Sequence, residues 1–183
     1  MQTKTSVNVA HLALTALMAA VICICGPISV PIGVIPVSLT PLAVFLTVYI
    51  LGKHLGTVAY LVYLLIGLVG IPVFSGFTGG PAKILGPTGG YIISFILMAY
   101  IAGFFIEKFN NFIMQMFGCL IGLIVSYAIG TVWLSFQASM SIPAALLAAV
   151  IPFIPFDIVK IIIAVLLGKE IKKKLSGQIV EVE

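Results

Sequence analysis

The chain has 183 residues, of which 62% are hydrophobic and 8% charged, and its formal net charge is +4 at neutral pH. Soluble domains carry about 25% charged residues, so this composition excludes an ordinary soluble domain and predicts an integral protein of the lipid bilayer. All of the positive charge is lysine, and four lysines cluster near the C-terminus, at positions 169, 172, 173 and 174. That cluster is typical of a cytoplasmic membrane-surface anchor, and nothing else in the chain supports nucleic-acid binding.

Six apolar segments predict an all-α fold, an integral membrane bundle of six transmembrane helices with an outward-facing ligand pocket. The bundle is expected to form a single domain over residues 1–183. The apolar runs are continuous rather than alternating, which favours helices over a β-barrel. The predicted spans cover residues 9–25, 41–51, 55–70, 92–106, 112–136 and 156–168.

The first span carries a pair of small residues, Ala16 and Ala20, at a spacing of four. This small-x-x-x-small pattern lets another helix backbone approach closely. Spacing alone favours an interface inside the chain's own bundle, and an interface with a partner protein is the alternative.

Residues 26–41 contain four prolines, at positions 27, 31, 36 and 41, in an almost wholly apolar setting. Prolines at this density break a regular helix. Non-helical backbone at membrane depth cannot face lipid, so we expect this segment to pack against protein or line a cavity. A plain connecting loop is the alternative.

Residues 70–91 form the longest interruption, with seven glycines and three prolines, and no regular structure is predicted there. Glycines allow positive φ angles and a close approach of the backbone to a ligand. The chain has no G-x-x-x-x-G-K-[ST] pattern, which excludes a nucleotide-phosphate loop of that kind. A long loop of this composition is typical of a functional segment. Its candidate substrate-binding residues are Thr78, Gly79, Thr88, Gly90 and Tyr91.

The last apolar region holds the only aspartate of the chain, Asp157, and three residues later Lys160. Positions three apart lie on one face of a helix. A charge at the centre of a bilayer costs about 2.5–3.5 kcal/mol on insertion scales, so such charges usually face a partner or a polar cavity. We expect the pair to capture a ligand; the alternative is mutual neutralisation that only fixes a helix.

The lysines outside the spans assign the two sides of the membrane. In a six-span topology Lys83 lies alone on one side, and the other side carries the C-terminal cluster together with Lys4, Lys53 and Lys108. Lysine excess marks the cytoplasmic side, so both termini are predicted to be cytoplasmic. Asp157 precedes Lys169 by twelve residues, or about 18 Å of helix, which places it in the outer half of the membrane. The loops 26–41, 70–91 and 135–142 are then expected to meet this pair in one outward-facing pocket.

Catalytic and metal chemistry find little support in the chain. Cys23, Cys25 and Cys119, and likewise His11 and His54, lack the spacing of metal ligands, so neither a metal nor a cofactor is predicted. One aspartate cannot form an aspartyl dyad, and no histidine is placed to serve a Ser–His dyad, so an enzyme is not predicted. Binding or transport of a small solute remains. A proton-coupled secondary transporter with Asp157 as relay, or a structural scaffold without a ligand, are the open alternatives.

Three features together resemble one family: Ala16-x-x-x-Ala20, the loop ending Gly86-Pro87-Thr88-Gly89-Gly90-Tyr91, and Phe156-Asp157-Ile158-Val159-Lys160. With them the chain resembles BioY, the biotin-specific substrate-binding (S) components of energy-coupling-factor (ECF) transporters. The resemblance implies a six-helix membrane protein that binds biotin from outside. It also implies docking on a transmembrane coupling subunit through Ala16 and Ala20, with two cytoplasmic ATPase subunits supplying energy.

Biotin offers a ureido ring with two N–H donors and a carbonyl at one end and a carboxylate at the other. Side chains three apart on a helix lie about 5–6 Å apart, which suits one end of this ligand. We therefore expect Asp157 to accept a ureido N–H and Lys160 to donate to the same ring. In the alternative pose Lys160 binds the carboxylate. The loop 70–91 is expected to close over the ligand through Thr78, Thr88, Tyr91 and backbone amides.

Overall fold

The computed structural model of the chain describes residues 9–32 and 35–180 and is mostly helical. In chain order the elements are α1 (Val9–Cys25), β1 (Ser29–Ile32), β2 (Ile35–Ser38), α2 (Thr40–Leu68), α3 (Pro81–Leu85), α4 (Gly89–Lys108), α5 (Phe112–Gln137), α6 (Ile142–Ala149) and α7 (Ile154–Val180). Helices α2, α4 and α5 are each long and apolar enough to cross a membrane, and α6 with α7 pass the same test as one span bent by 53°. The prediction of a helical membrane protein is confirmed.

Helix α2 is broken at Gly52, whose backbone is not helical (φ 78°, ψ −178°). The chain turns back there, because a Cβ on Gly56 would lie 2.8 Å from the Cα of Val48, whereas eight residues of straight helix span about 12 Å. The two arms, residues 40–51 and 53–68, therefore pack side by side. They correspond to the second and third predicted spans. Glu107 from α4 caps the break, since its Oε1 accepts the Lys53 backbone N–H at 2.8 Å.

Helices α4 and α5 meet along a stripe of small residues on α5, spaced by four: Gly118, Gly122, Ser126 and Gly130. A Cβ on Gly122 would lie 2.9 Å from the Met98 carbonyl oxygen, so only glycine permits this approach. Halfway along the stripe the Ser94 and Ser126 hydroxyls are hydrogen-bonded at 2.6 Å. This tight contact fixes Tyr91, at the start of α4, against α5.

The two segments that interrupt the helices contain more structure than the sequence predicted. In residues 26–41, β1 and β2 pair antiparallel with Pro31 opposite Pro36, which a two-stranded sheet tolerates because each strand has a free edge. The expected break in the helix is thus confirmed, but a hairpin was not foreseen. In residues 70–91 the prediction of no regular structure is wrong at Pro81–Leu85, a short helix. Phe74 and Thr78 also exchange backbone hydrogen bonds of 2.9 and 3.3 Å.

Three of the lysines that the structure describes, Lys53, Lys108 and Lys169, lie at one end of the bundle. The ammonium groups of Lys53 and Lys108 lie 5.3 and 5.4 Å from the centre of the same Phe104 ring. Gly168, which precedes Lys169, packs against Tyr49 on the first arm of α2, close to the break. Lys4 lies outside the described residues. The β-hairpin, α3 and the loop 70–80 lie at the other ends of these helices.

Candidate ligand-binding site

A cavity of about 660 Å³, including its mouth, lies among β2, α2, α4, α5 and α7. Its aromatic lining residues are Tyr60, Tyr63, Phe74, Tyr91, Phe95, Tyr127 and Phe153. Its other polar lining residues are Ser38, Thr40, Ser75, Thr88, Asp157 and Lys160. A mostly apolar wall with a few polar groups is the usual composition of such a site.

Asp157 and Lys160 lie together in the cavity wall, on one face of α7 near its beginning. The Lys160 ammonium donates to Asp157 Oδ1 at 2.7 Å, and the two residues are only 7% and 4% exposed. The predicted pairing on one helix face is confirmed. The helix also favours the carboxylate, since Asp157 lies in its first turn, where the positive end of the helix dipole acts. The pair offers a buried charged donor and a buried charged acceptor side by side.

Tyr127 from α5 is a third member of this polar group. Its hydroxyl donates to Asp157 Oδ2 at 2.6 Å, so each carboxylate oxygen accepts one hydrogen bond from a different residue. Tyr127 was not predicted from the sequence, because it is one of six tyrosines and lies thirty positions before the aspartate in a mostly apolar helix. A polar residue inside a span is the only sequence signal that marks it.

The hydroxyl groups of two other tyrosines of the wall already have partners within the protein. The Tyr60 hydroxyl donates to the Ile92 carbonyl at 2.6 Å, and the Tyr91 hydroxyl is 3.3 Å from the Thr131 hydroxyl. The ring centres of Tyr60 and Tyr63 are 5.4 Å apart, a normal distance for interacting aromatic pairs. Such a wall can pack against a flat apolar group next to the ion pair.

The candidates of the glycine-rich loop separate into two groups. Thr88 and Tyr91 line the cavity, whereas Thr78, Gly79 and Gly90 are not among its lining residues. Thr78 is exposed, and its hydroxyl donates to the Ser75 carbonyl at 3.0 Å. A Cβ on Gly79 would lie 2.5 Å from the Ile71 carbonyl oxygen, and one on Gly90 would overlap Trp133. These glycines therefore permit close packing; ligand contact by this group stays a prediction.

Lys83, the cation of this loop, lies on α3 beside the cavity-lining Thr88. It is half-buried, and burial lowers the pKa of its ammonium group below the usual value. The Thr88 hydroxyl lies 3.5 Å from the Lys83 carbonyl oxygen, toward which it donates. Within the described residues no cluster of three or more His, Cys, Asp or Glu side chains could hold a metal ion.

Ala16 and Ala20 are both exposed on α1, while the bundle buries four other residues of that helix: Thr15, Met18, Ala19 and Ile22. Packing of the alanine pair inside the chain's own bundle, which spacing alone favoured, is therefore wrong. The pair presents a smooth, small-residue surface to whatever surrounds the bundle.

A sequence profile of the BioY family matches residues 1–177. The chain belongs to the BioY family. Among its relatives, the biotin transporter BioY of Thermotoga maritima is 38% identical over 157 residues, covering 86% of this chain and 92% of the relative. The probable biotin transporter BioY of Pyrococcus horikoshii is 40% identical over 162 residues, covering 88% and 96%.

A solved BioY-like structure has the same fold. The crystal structure of the S-component for biotin from an ECF-type ABC transporter is 30% identical, with a TM-score of 0.85 over 94% of this chain and 95% of that one. The resemblance inferred from the three sequence features is confirmed. Because these matched proteins are transport components, the prediction that the chain is not an enzyme is confirmed as well.

Proposed function

We propose that this chain binds biotin and is the substrate-specific S component of an ATP-driven ECF transporter for biotin uptake. The observation that carries the proposal is the buried Asp157–Lys160 pair in the wall of an aromatic cavity. Membership in a family of biotin transporters indicates the ligand, and the ion pair provides hydrogen-bonding groups that could recognise it. Biotin is the transported ligand, and no cofactor is proposed.

In the proposed pose the ureido ring lies against the ion pair. Asp157 accepts one ureido N–H, and Lys160 donates to the ureido carbonyl, because adjacent N–H and C=O groups match an acceptor and a donor whose atoms are 2.7 Å apart. The thioether ring packs on the aromatic wall. Loop 70–91 covers the ligand: Thr88 and Tyr91 contact it, and Thr78, Gly79 and Gly90 give the loop its shape and its backbone amides.

The proposed topology has six spans in a single domain over residues 1–183, with both termini cytoplasmic and the cavity open to the outside. The two arms of α2 are separate spans, and α6 with α7 enter from the outer side. The clustering of Lys53, Lys108 and Lys169 at the end of the bundle remote from the β-hairpin supports this orientation. The cell membrane is the proposed location.

The proposed partners are a transmembrane coupling subunit and two cytoplasmic ATPase subunits. The chain carries no nucleotide-binding pattern, so uptake driven by ATP requires other subunits. The exposed pair Ala16 and Ala20 is the proposed contact with the coupling subunit, because small residues allow close helix approach.

The test is a calorimetric titration of biotin into the purified full chain, beside Asp157→Asn and a control, Tyr49→Phe. Tyr49 lies outside the cavity and donates to Gln115 at 2.8 Å. Tight one-to-one binding that Asp157→Asn weakens at least tenfold and Tyr49→Phe leaves intact supports the proposal. A folded wild-type chain that does not bind biotin refutes it.

A second titration decides between the two poses. Lys160→Ala should weaken the binding of biotin and of carboxylate-amidated biotin to the same extent, because both ligands keep the ureido ring. If Lys160→Ala weakens the binding of biotin but leaves the affinity for the amidated biotin unchanged, Lys160 binds the carboxylate and the proposed pose is wrong.

A further inference from the structure

Tyr127 holds Asp157, one of the two side chains on which the proposed recognition depends. Its hydroxyl donates to Asp157 Oδ2 at 2.6 Å, while Lys160 donates to Oδ1 at 2.7 Å. The terminal torsion of an aspartate is soft, so a carboxylate held at one oxygen alone still rotates. Held at both oxygens, from α5 and from α7, the plane of this carboxylate is fixed.

We propose that Tyr127 is a positioning residue for ligand recognition, which acts through Asp157 rather than by a donation of its own to the ligand. A tyrosine hydroxyl has a single proton, and here Asp157 accepts it. Each carboxylate oxygen keeps further lone-pair capacity, and the ammonium of Lys160 keeps two donors. The fixed carboxylate of Asp157 therefore presents an acceptor beside the ammonium donor of Lys160. Together they match a ligand with adjacent N–H and C=O groups. This inference rests on the proposed function, because it assumes a ureido ligand.

A purely structural role is the competing explanation, since the same hydrogen bond also ties α5 to α7. The chain offers a matched comparison in Tyr49, a buried tyrosine whose hydroxyl donates to Gln115 at 2.8 Å between α2 and α5. Tyr49 is not among the cavity-lining residues, whereas Tyr127 is. Phenylalanine at either position removes one interhelical hydrogen bond, which is buried at Tyr49 and partly buried at Tyr127, but only Tyr127→Phe releases Asp157.

The experiment compares wild-type chain, Tyr127→Phe and Tyr49→Phe with two ligands, biotin and a biotin methylated at both ureido nitrogens. The methylated compound keeps the ring and the tail and lacks the N–H that Asp157 accepts. Without the Tyr127 hydrogen bond the carboxylate of Asp157 can rotate away from the ureido N–H, so we expect Tyr127→Phe to weaken the binding of biotin about 10-fold. We expect Tyr49→Phe to change biotin affinity less than about threefold. The methylated ligand should bind wild type and Tyr127→Phe within about threefold of each other.

Two results overturn the inference: unchanged biotin affinity in Tyr127→Phe, or an equal loss for both ligands, which means a general loss of packing. Failure of the proposed function is distinguished by the wild-type chain, which would then bind neither ligand. Binding of radiolabelled biotin and of its methylated form to membrane vesicles repeats the comparison without detergent. A variant too unstable to purify is therefore still tested.

Discussion

Removing one charge of the Asp157–Lys160 pair should damage stability and binding together, whereas removing both should damage only binding. Both residues are more than nine-tenths buried, and their charged atoms are 2.7 Å apart. Lys160→Met leaves a buried carboxylate without its cation, which costs about 3–5 kcal/mol of unfolding free energy. The double variant Asp157→Asn/Lys160→Met leaves no charge to compensate. Its stability should return to within about 1–2 kcal/mol of the wild type.

Thermal unfolding in one detergent provides the stability measurement. For a chain of this length each kcal/mol shifts the Tm by about 2–4 °C, so Lys160→Met should unfold roughly 6–20 °C below the wild type. The double variant should recover most of that difference. Calorimetric titration of the same samples with biotin should show no binding by either variant, because neither keeps both the acceptor and the cationic donor.

Two results would refute this reasoning at different points. A Lys160→Met chain as stable as the wild type means that the carboxylate is compensated by other groups. A double variant that binds biotin with wild-type affinity means that the ion pair only fixes α7, the alternative left open by the sequence.

Three further substitutions test the fold and the proposed partner surface. Gly52→Ala should lower the free energy of unfolding by about 1–3 kcal/mol in thermal melts, since Gly52 has φ +78° and its new methyl would overlap the Glu107 carboxylate. Gly130→Val should weaken biotin at least about tenfold by calorimetry and lower the Tm, because the side chain would overlap the Tyr91 ring in the cavity wall. Ala20→Leu should leave biotin affinity within about twofold but reduce co-purification with the proposed coupling subunit, because Ala20 is exposed and is not among the cavity-lining residues. Unchanged melts for the first, unchanged affinity for the second, or unchanged co-purification for the third would contradict these expectations.

The ion pair and the long helices could be predicted because the membrane makes their sequence signals strong. A charge inside an apolar run is costly, so a lone aspartate three residues before a lysine allows few structural interpretations. The spacing then fixed their common face, which the 2.7 Å contact between Asp157 and Lys160 confirms. Continuous apolar runs predicted the helices, and the gap between the predicted spans 41–51 and 55–70 contains Gly52, where α2 turns back.

The residues that the sequence could not assign are those whose roles depend on distant backbone. Tyr127 reaches Asp157 only because α5 and α7 pack together, and no local pattern encodes that contact. Glycine is equally suited to approach a ligand and to approach another helix, so Gly90 could not be assigned to its contact with Trp133 from composition. The hairpin of β1 and β2 was missed because Pro31 and Pro36 argue against strands, except where each strand has a free edge.

The polar groups of the cavity satisfy one another without help from a ligand. Among the described residues no buried side-chain nitrogen or oxygen lacks a hydrogen-bond partner, and Asp157 in particular has both Lys160 and Tyr127. A ligand therefore gains affinity by adding hydrogen bonds to a group that is already neutral overall, not by rescuing an unpaired charge. A neutral ligand head with adjacent N–H and C=O groups fits this requirement. It adds one hydrogen bond to Asp157 and one to Lys160, and it brings no net charge into the membrane. A ligand whose inserted end carried a net charge would leave that charge uncompensated in this buried group.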